Sequence, residues 1–170
     1  MREEQRIGIE LTDLPVGWFV LQPSGIAVLD GMINGVEHVV IGPGGVFMIR
    51  VEHQPAANVW VSERGMTIDG RATDQLGEAR CEAKRIGGRL TQWCCLDVTV
   101  QSVLVLVGAT VHTVSRPAEV HVRDQHDLRD WLCVQPVRLA AEAVATINRA
   151  VREPAATPAY GFGSSTTTGI

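Results

Sequence analysis

The chain is almost without lysine. Of its 15 basic residues only Lys84 is a lysine and the rest are arginine, so chemistry that needs an ammonium group has one candidate. It also lacks a cationic excess: 19 acidic residues against 15 basic ones leave a net charge of −4 and a pI near 5.7. Nucleic-acid binders usually show a basic domain or stripe, so bulk electrostatic binding to nucleic acid is disfavoured and only a local patch stays open. No apolar run approaches the roughly 20 residues that cross a bilayer. The segment Met1-Arg2-Glu3-Glu4-Gln5-Arg6 has no apolar signal core, and together these absences predict a cytoplasmic protein with no membrane partner. The four cysteines, Cys81, Cys94, Cys95 and Cys133, show no Cys-x-x-Cys spacing, which argues against a zinc site. Adjacent Cys94 and Cys95 would give only a strained disulfide, and the cytosol keeps thiols reduced, so the expectation is four buried free thiols.

What the chain does have is a globular balance of 45% hydrophobic and 20% charged residues over 170 positions. That length suits one domain able to bury most of its surface, placed here at residues 1–152. From Glu153 the composition turns to Pro, Ala, Thr, Gly and Ser, too little apolar surface to offset the entropy of ordering, so 153–170 reads as a disordered tail.

The organising stretch is Val36 to Glu52. Two runs rich in Val, Ile, Phe and Met flank Gly42-Pro43-Gly44-Gly45, where a pre-set proline φ and permissive glycines favour a tight connection. The pattern predicts a buried β-hairpin whose only charges are Glu37, Arg50 and Glu52. Side chains alternate along a strand, so Arg50 and Glu52 share a face, and the hairpin brings Glu37 towards them. The glycine-rich turn is no phosphate loop, since it lacks the Gly-Lys-Ser/Thr ending and a following helix.

Around the hairpin, the spacing of Ile7, Leu11 and Leu14 predicts a short helix that ends before Pro15. Trp18 to Leu21 reads as a strand, followed by a turn at 22–25 and a looser segment from Ile26 to Gly35. Val59-Trp60-Val61 and Met66-Thr67-Ile68 read as a second hairpin at the sheet edge. Asp74 is placed as N-cap of a helix to about Leu90, with Leu76, Ala79, Ala83, Ile86 and Leu90 as its apolar stripe, Lys84 beside that stripe, and Gly87-Gly88 loosening the last turn. Val103 to Val107 is apolar on both faces, as for a central strand covered on both sides. Ala118 to Val122 reads as a strand, Asp124 as N-cap of a short helix through Leu128 and Trp131, and Leu139 to Val151 as a last helix. Helix, strands, helix, strand, strand and helices in that order fit an α/β fold, a mixed sheet flanked by helices.

The run Glu37-His38-Val39-Val40-Ile41-Gly42-Pro43-Gly44-Gly45-Val46-Phe47-Met48-Ile49 resembles the signature of the nuclease-related domain, NERD, a branch of the PD-(D/E)xK nuclease-like superfamily. The similarity extends by order of elements over roughly residues 15 to 151, including Leu14-Pro15-Val16-Gly17-Trp18 and the Val-rich strand ending in Gly108-Ala109. It implies a restriction-endonuclease-like mixed central sheet. In the family's motif an aspartate precedes His-Val-Val, and an acidic residue, any residue and a lysine follow the turn. Glu37 falls on the aspartate position, Arg50 on the second acidic position and Glu52 on the lysine position. Of the longer N-terminal helix and its glutamate, Glu3, Glu4 and Glu10 are the counterparts available.

Such a centre uses two carboxylates on a divalent cation, Mg or Mn, to polarise the phosphate and activate water, with a lysine to orient that water. Arg50 places a cation where the metal needs a ligand. The first expectation is therefore a degenerate centre in which Arg50 is neutralised by Glu37, Glu52 or both, in a non-catalytic binding or assembly module with a protein partner or self-association and no cofactor. The second is a rearranged metal-dependent nuclease, with Glu37 and Glu52 holding Mg or Mn and Lys84 or Arg50 supplying positive charge. The third is a nucleic-acid-binding domain that does not cut, with Arg80, Lys84, Arg85 and Arg89 as phosphate contacts. Among the histidines, His38 and His53 bracket the hairpin, and His121 and His126 are a weak metal hint.

Overall fold

The hairpin closes on two residues. In the computed structural model, which describes residues 11–22, 26, 35–117 and 119–153, β2 (His38–Gly42) and β3 (Gly45–His53) pair antiparallel up to Gly42 opposite Gly45. The turn glycines are dictated by close approach. A Cβ on Gly42 would lie 2.2 Å from the Trp18 indole and one on Gly44 2.9 Å from Gln135 Cβ, while Gly45 adopts φ 130°. The Pro43 carbonyl accepts from Arg138 N (2.8 Å) and Leu139 N (3.0 Å), so the turn is a packing platform for Trp18 and for the segment before the last helix.

Three further strands extend this pair. β1 (Phe19–Leu21) adds antiparallel to β2, β7 (Val100–Val107) adds parallel to β3, and β9 (Val120–Asp124) adds parallel to β7, giving the order β1-β2-β3-β7-β9. All eight residues of β7 are buried: the apolar run Val103 to Val107, as expected for a central strand, together with Val100 and the polar Gln101 and Ser102. A second sheet, ordered β6-β5-β4-β8, consists of β4 (Asn58–Ser62), β5 (Gly65–Ile68), β6 (Arg71–Thr73) and β8 (Thr110–Thr113).

The β4–β5 hairpin thus belongs to its own sheet and not to the edge of the first. The cause lies at the junction. Gln54 N donates to Val107 O (2.9 Å), Ala56 N to Gly108 O (2.9 Å) and Thr110 N to Ala57 O (2.8 Å), so the parallel pair β3–β7 continues as β4–β8 through one shared bend. Ala56 (φ 58°) and Gly108 (φ 79°) make that bend, and a Cβ on Gly108 would meet Pro55 Cα at 3.2 Å.

Helix α1 (Gln75–Cys94) lies across both sheets. Leu76 and Ala79 pack on Val59, Val61, Met66, Leu104 and Leu106, whereas Ala83, Ile86 and Leu90 pack on Val39, Ile41, Val46 and Met48. Each fully buried aliphatic chain of this kind contributes about 1.5–3 kcal/mol. The short α2 (Leu128–Cys133) covers the other face, with Leu128 and Leu132 against Val40, Phe47, Ile49, Val103 and Val105. The last helix, α3 (Ala141–Arg152), packs Val144, Ile147 and Val151 into the α1 side. The architecture is α/β, with mixed sheets flanked by helices.

Several local expectations are corrected. Asp74 makes no side-chain cap; Thr73 Oγ1 accepts from Gln75 N at 3.4 Å instead. Asp124 ends β9, and its Oδ1 accepts from His126 N (2.8 Å) in a turn, so α2 begins three residues later than that cap implied. Gly87-Gly88 does not loosen α1, which runs on to Cys94 and ends with Cys95 in the left-handed region (φ 53°). Gly87 is needed because a Cβ there would approach Val98 O at 3.2 Å. Leu139 precedes α3 but still packs on the core. All four cysteines are free, yet only Cys94 is buried. No helix among the described residues is long and apolar enough to cross a membrane. Of the helix expected before Pro15, residues 1–10 lie outside the described residues and residues 11–12 are helical; most of the 23–34 segment and the tail from 154 onward also lie outside them.

Candidate functional site

Arg50 and Glu52 leave β3 on the α1 side, as alternation requires, since they follow Val46 and Met48 of that core. The carboxylate that Arg50 meets comes from the helix. Arg50 Nη2 bonds Glu82 Oε2 of α1, with side-chain exposures of 20% and 11%. The guanidinium lies over Gly35, where a Cβ would come within 3.1 Å of Nη1. Burial lowers the Arg50 pKa from its ordinary value, while Glu52 and Glu78 pull it back up. Glu52 is also engaged, accepting from Gln75 Nε2 at 2.8 Å. Arg50 Nε and Glu82 Oε1 are buried without hydrogen-bond partners.

Glu37 enters the sheet irregularly. Its N–H donates to Ile49 O (2.9 Å) although Ile49 is the ladder partner of His38, so two residues of one strand face one of the other, the count of a β-bulge. Simple alternation from His38 therefore does not carry over to Glu37. Glu82 and Gln75, the partners the hairpin pattern did not include, sit seven residues apart on α1, beside its apolar stripe. The signal available for them was that shared helical face.

Lys84 and the arginines of α1 do not form one patch. Lys84 pairs with the exposed Glu119 (3.6 Å) and lines a cleft of about 450 Å³ with Gln101, His121 and Arg138. Arg80 lines a different cleft, near Glu63 and Arg64, and Arg85 and Arg89 are exposed. His38 is buried, accepts from Gln22 Nε2 (3.3 Å) and has its pKa lowered by that burial. His53 is exposed at the end of β3. His126 faces Gln125 (3.2 Å), whereas His121 Nε2 donates to Gln101 Oε1 (2.7 Å) and its ring packs on Trp131 with centroids 4.7 Å apart. Among the described residues no group of three His, Cys, Asp or Glu side chains converges as a metal site would require.

The arrangement at Arg50 suits structural neutralisation better than hydrolysis. A guanidinium held by Glu82, with Glu52 bonded to Gln75, places a cation and a spoken-for carboxylate where a divalent ion would need two oxygen donors. The residues present do not fit that ion. Compared with models of known families, with curated proteins and with solved structures, the chain matches none.

Proposed function

We propose that the chain is a NERD-like domain with a degenerate nuclease centre, acting as a non-catalytic binding or assembly module for a protein partner or a second copy of itself. The observation that carries this reading is the Arg50–Glu82 pair, part-buried at the position corresponding to the second acidic residue of the nuclease motif. A cation there repels the metal that hydrolysis requires, and removing either partner would strand a buried charge, so the pair has a structural reason to persist.

The test is calorimetric titration of manganese into the protein and into the Glu37→Ala variant, followed by incubation with single- and double-stranded DNA. The expected result is no saturable heat and no metal-dependent cleavage. Saturable binding lost in Glu37→Ala, with cleavage, would instead establish the rearranged nuclease of Glu37, Glu52 and Lys84. DNA binding without cutting, weakening steeply with salt and with Arg89→Ala, would establish the phosphate-contact role of Arg80, Lys84, Arg85 and Arg89.

A further inference from the structure

The other face of the five-stranded sheet carries a separate concentration of positive charge. On β9, His121 and Arg123 alternate with Val120 and Val122. Their ladder partners Val103 and Val105 belong to the core beneath α2, whereas Leu104, the ladder partner of Arg50, belongs to the core beneath α1. His121 and Arg123 therefore stand apart from the Arg50–Glu82 pair. With Thr113, Ser115, Arg116 and Trp131 they line a cleft of about 300 Å³.

Charge balance distinguishes this cleft from its neighbour. On the other side of His121, Lys84 and Arg138 share their cleft with Asp97 and Glu119, one carboxylate for each cation. The cleft containing Arg116 and Arg123 is lined by no carboxylate. Arg116 is exposed and forms no ion pair among the described residues. Arg123 is held from behind, with Nη2 on Asp127 Oδ2 (2.6 Å) and its guanidinium 5.3 Å from the Trp131 ring, yet its buried Nε has no partner. Ser115 Oγ accepts from Glu63 N (2.8 Å), which leaves its own O–H to donate. The cleft thus offers two guanidiniums and two hydroxyls; Arg123 is paired with Asp127, which is not among the lining residues, and Arg116 has no paired anion among the described residues.

His121 registers that imbalance. Its pKa is pushed down to about 4, first by burial and then by Arg123, Arg138 and Arg116. Asp127, Asp97, Glu119 and Lys84 are the other charged groups around it, and the depression persists despite those carboxylates.

We propose that this cleft is an anion site that takes the phosphate group of a small ligand, gripped by Arg116 and Arg123 and completed by the hydroxyls of Thr113 and Ser115. Guanidinium forks bind phosphate oxygens in a bidentate manner, and the two hydroxyls add donors for the remaining oxygens. The volume sits at the lower end of ligand pockets, which fits a phosphate with a small substituent rather than a long strand. The site is independent of the Arg50 centre, so neither proposal depends on the other.

The test follows the His121 imidazole by nitrogen-15 NMR over a pH titration of the full chain, with added inorganic phosphate or with sodium chloride at equal ionic strength. Phosphate should raise the His121 pKa saturably from about 4, by about one unit as expected for a nearby anion; chloride should not. Arg116→Gln, an exposed position, should leave the melting temperature unchanged and abolish the saturable response. Equal shifts with chloride, or saturation that survives Arg116→Gln, would overturn the proposal. Glycerol 3-phosphate binding at least as tightly as inorganic phosphate identifies a phosphoester as the occupant, and its exclusion with inorganic phosphate still bound identifies the free oxyanion.

Discussion

Replacing Glu82 by Gln removes the carboxylate from the Arg50 pair while keeping its shape, and the size of the penalty measures how buried that pair is. Exposed ion pairs contribute about 0–1 kcal/mol, whereas stranding one charge of a buried pair costs about 3–5 kcal/mol. The side chains are 20% and 11% exposed, which places the pair on the buried side of that division. Glu52 and Glu78 still favour the charged guanidinium and hold part of its field, so the lower end applies, about 3 kcal/mol. Urea unfolding followed by circular dichroism should show a lower midpoint with an unchanged slope, and the melting temperature should fall by about 6–12 °C at 2–4 °C per kcal/mol. The double variant Arg50→Met with Glu82→Leu should recover to within about 1 kcal/mol of the original chain, because a packed apolar pair carries no desolvation penalty. A loss below 1 kcal/mol for Glu82→Gln, or a double variant as unstable as the single one, would refute this account of the pair.

Gly42→Ala should destabilise the fold by about 1–3 kcal/mol in urea unfolding, as overpacking does, since its Cβ would sit 2.2 Å from the Trp18 ring; a neutral effect would mean that Trp18 does not rest on the turn. His38 and His121 both have folded pKa values below 6.5, that of His121 near 4. A histidine kept neutral by folding gives its full stabilisation above 6.5, and that stabilisation is lost as pH falls towards the folded value. Melting temperature should therefore drop between pH 6.5 and 4, and a slope unchanged in His121→Gln would remove His121 from the explanation. In the native chain a thiol reagent should modify Cys81, Cys95 and Cys133 rapidly and Cys94 slowly, because Cys94 is buried and its pKa is raised by that burial and by Cys95. Mass spectrometry of the labelled chain reads this directly, and equal labelling of all four would contradict the burial of Cys94.

Legibility divided along the line between local pattern and long-range pairing. The hairpin, the fully apolar run of β7 and the stripe of α1 were readable because their residues repeat at periods of two or 3.6, and each element was found close to its expected place. β6 and β8 were missed: three and four residues long, Arg71-Ala72-Thr73 and Thr110-Val111-His112-Thr113 exist only through their partners β5 and β4. The division into two sheets was missed for the same reason, since it depends on paired kinks at Ala56 and Gly108, about 50 residues apart in sequence, that only the shared ladder brings together. At the candidate site, the face shared by Arg50 and Glu52 followed from strand alternation. Glu82 as the partner did not, because the choice among nearby carboxylates is made by how α1 crosses the sheet.

That crossing also explains why polar groups sit here at all. Along β3 the contacts run from Glu52 to Arg50, and along α1 from Gln75 to Glu82, so helix and strand run in opposite directions where Glu52 meets Gln75 and Arg50 meets Glu82. Seven helical residues advance about 10 Å and two strand residues about 7 Å. The difference of about 3 Å is within the reach of an arginine side chain, so the two bonds together hold α1 against sliding along the strand. They also fall where the apolar stripe passes from one core to the other, Leu76 and Ala79 serving the sheet of β4 and β5, and Ala83 and Ile86 serving that of β2 and β3. A centre adapted to hold a metal would need Glu52 released from Gln75 and Arg50 removed from Glu82, and each release would loosen the register of the one helix that joins both sheets. The same two bonds therefore occupy the groups a metal would need and hold the register of α1, so the fold alone gives them a structural reason to persist.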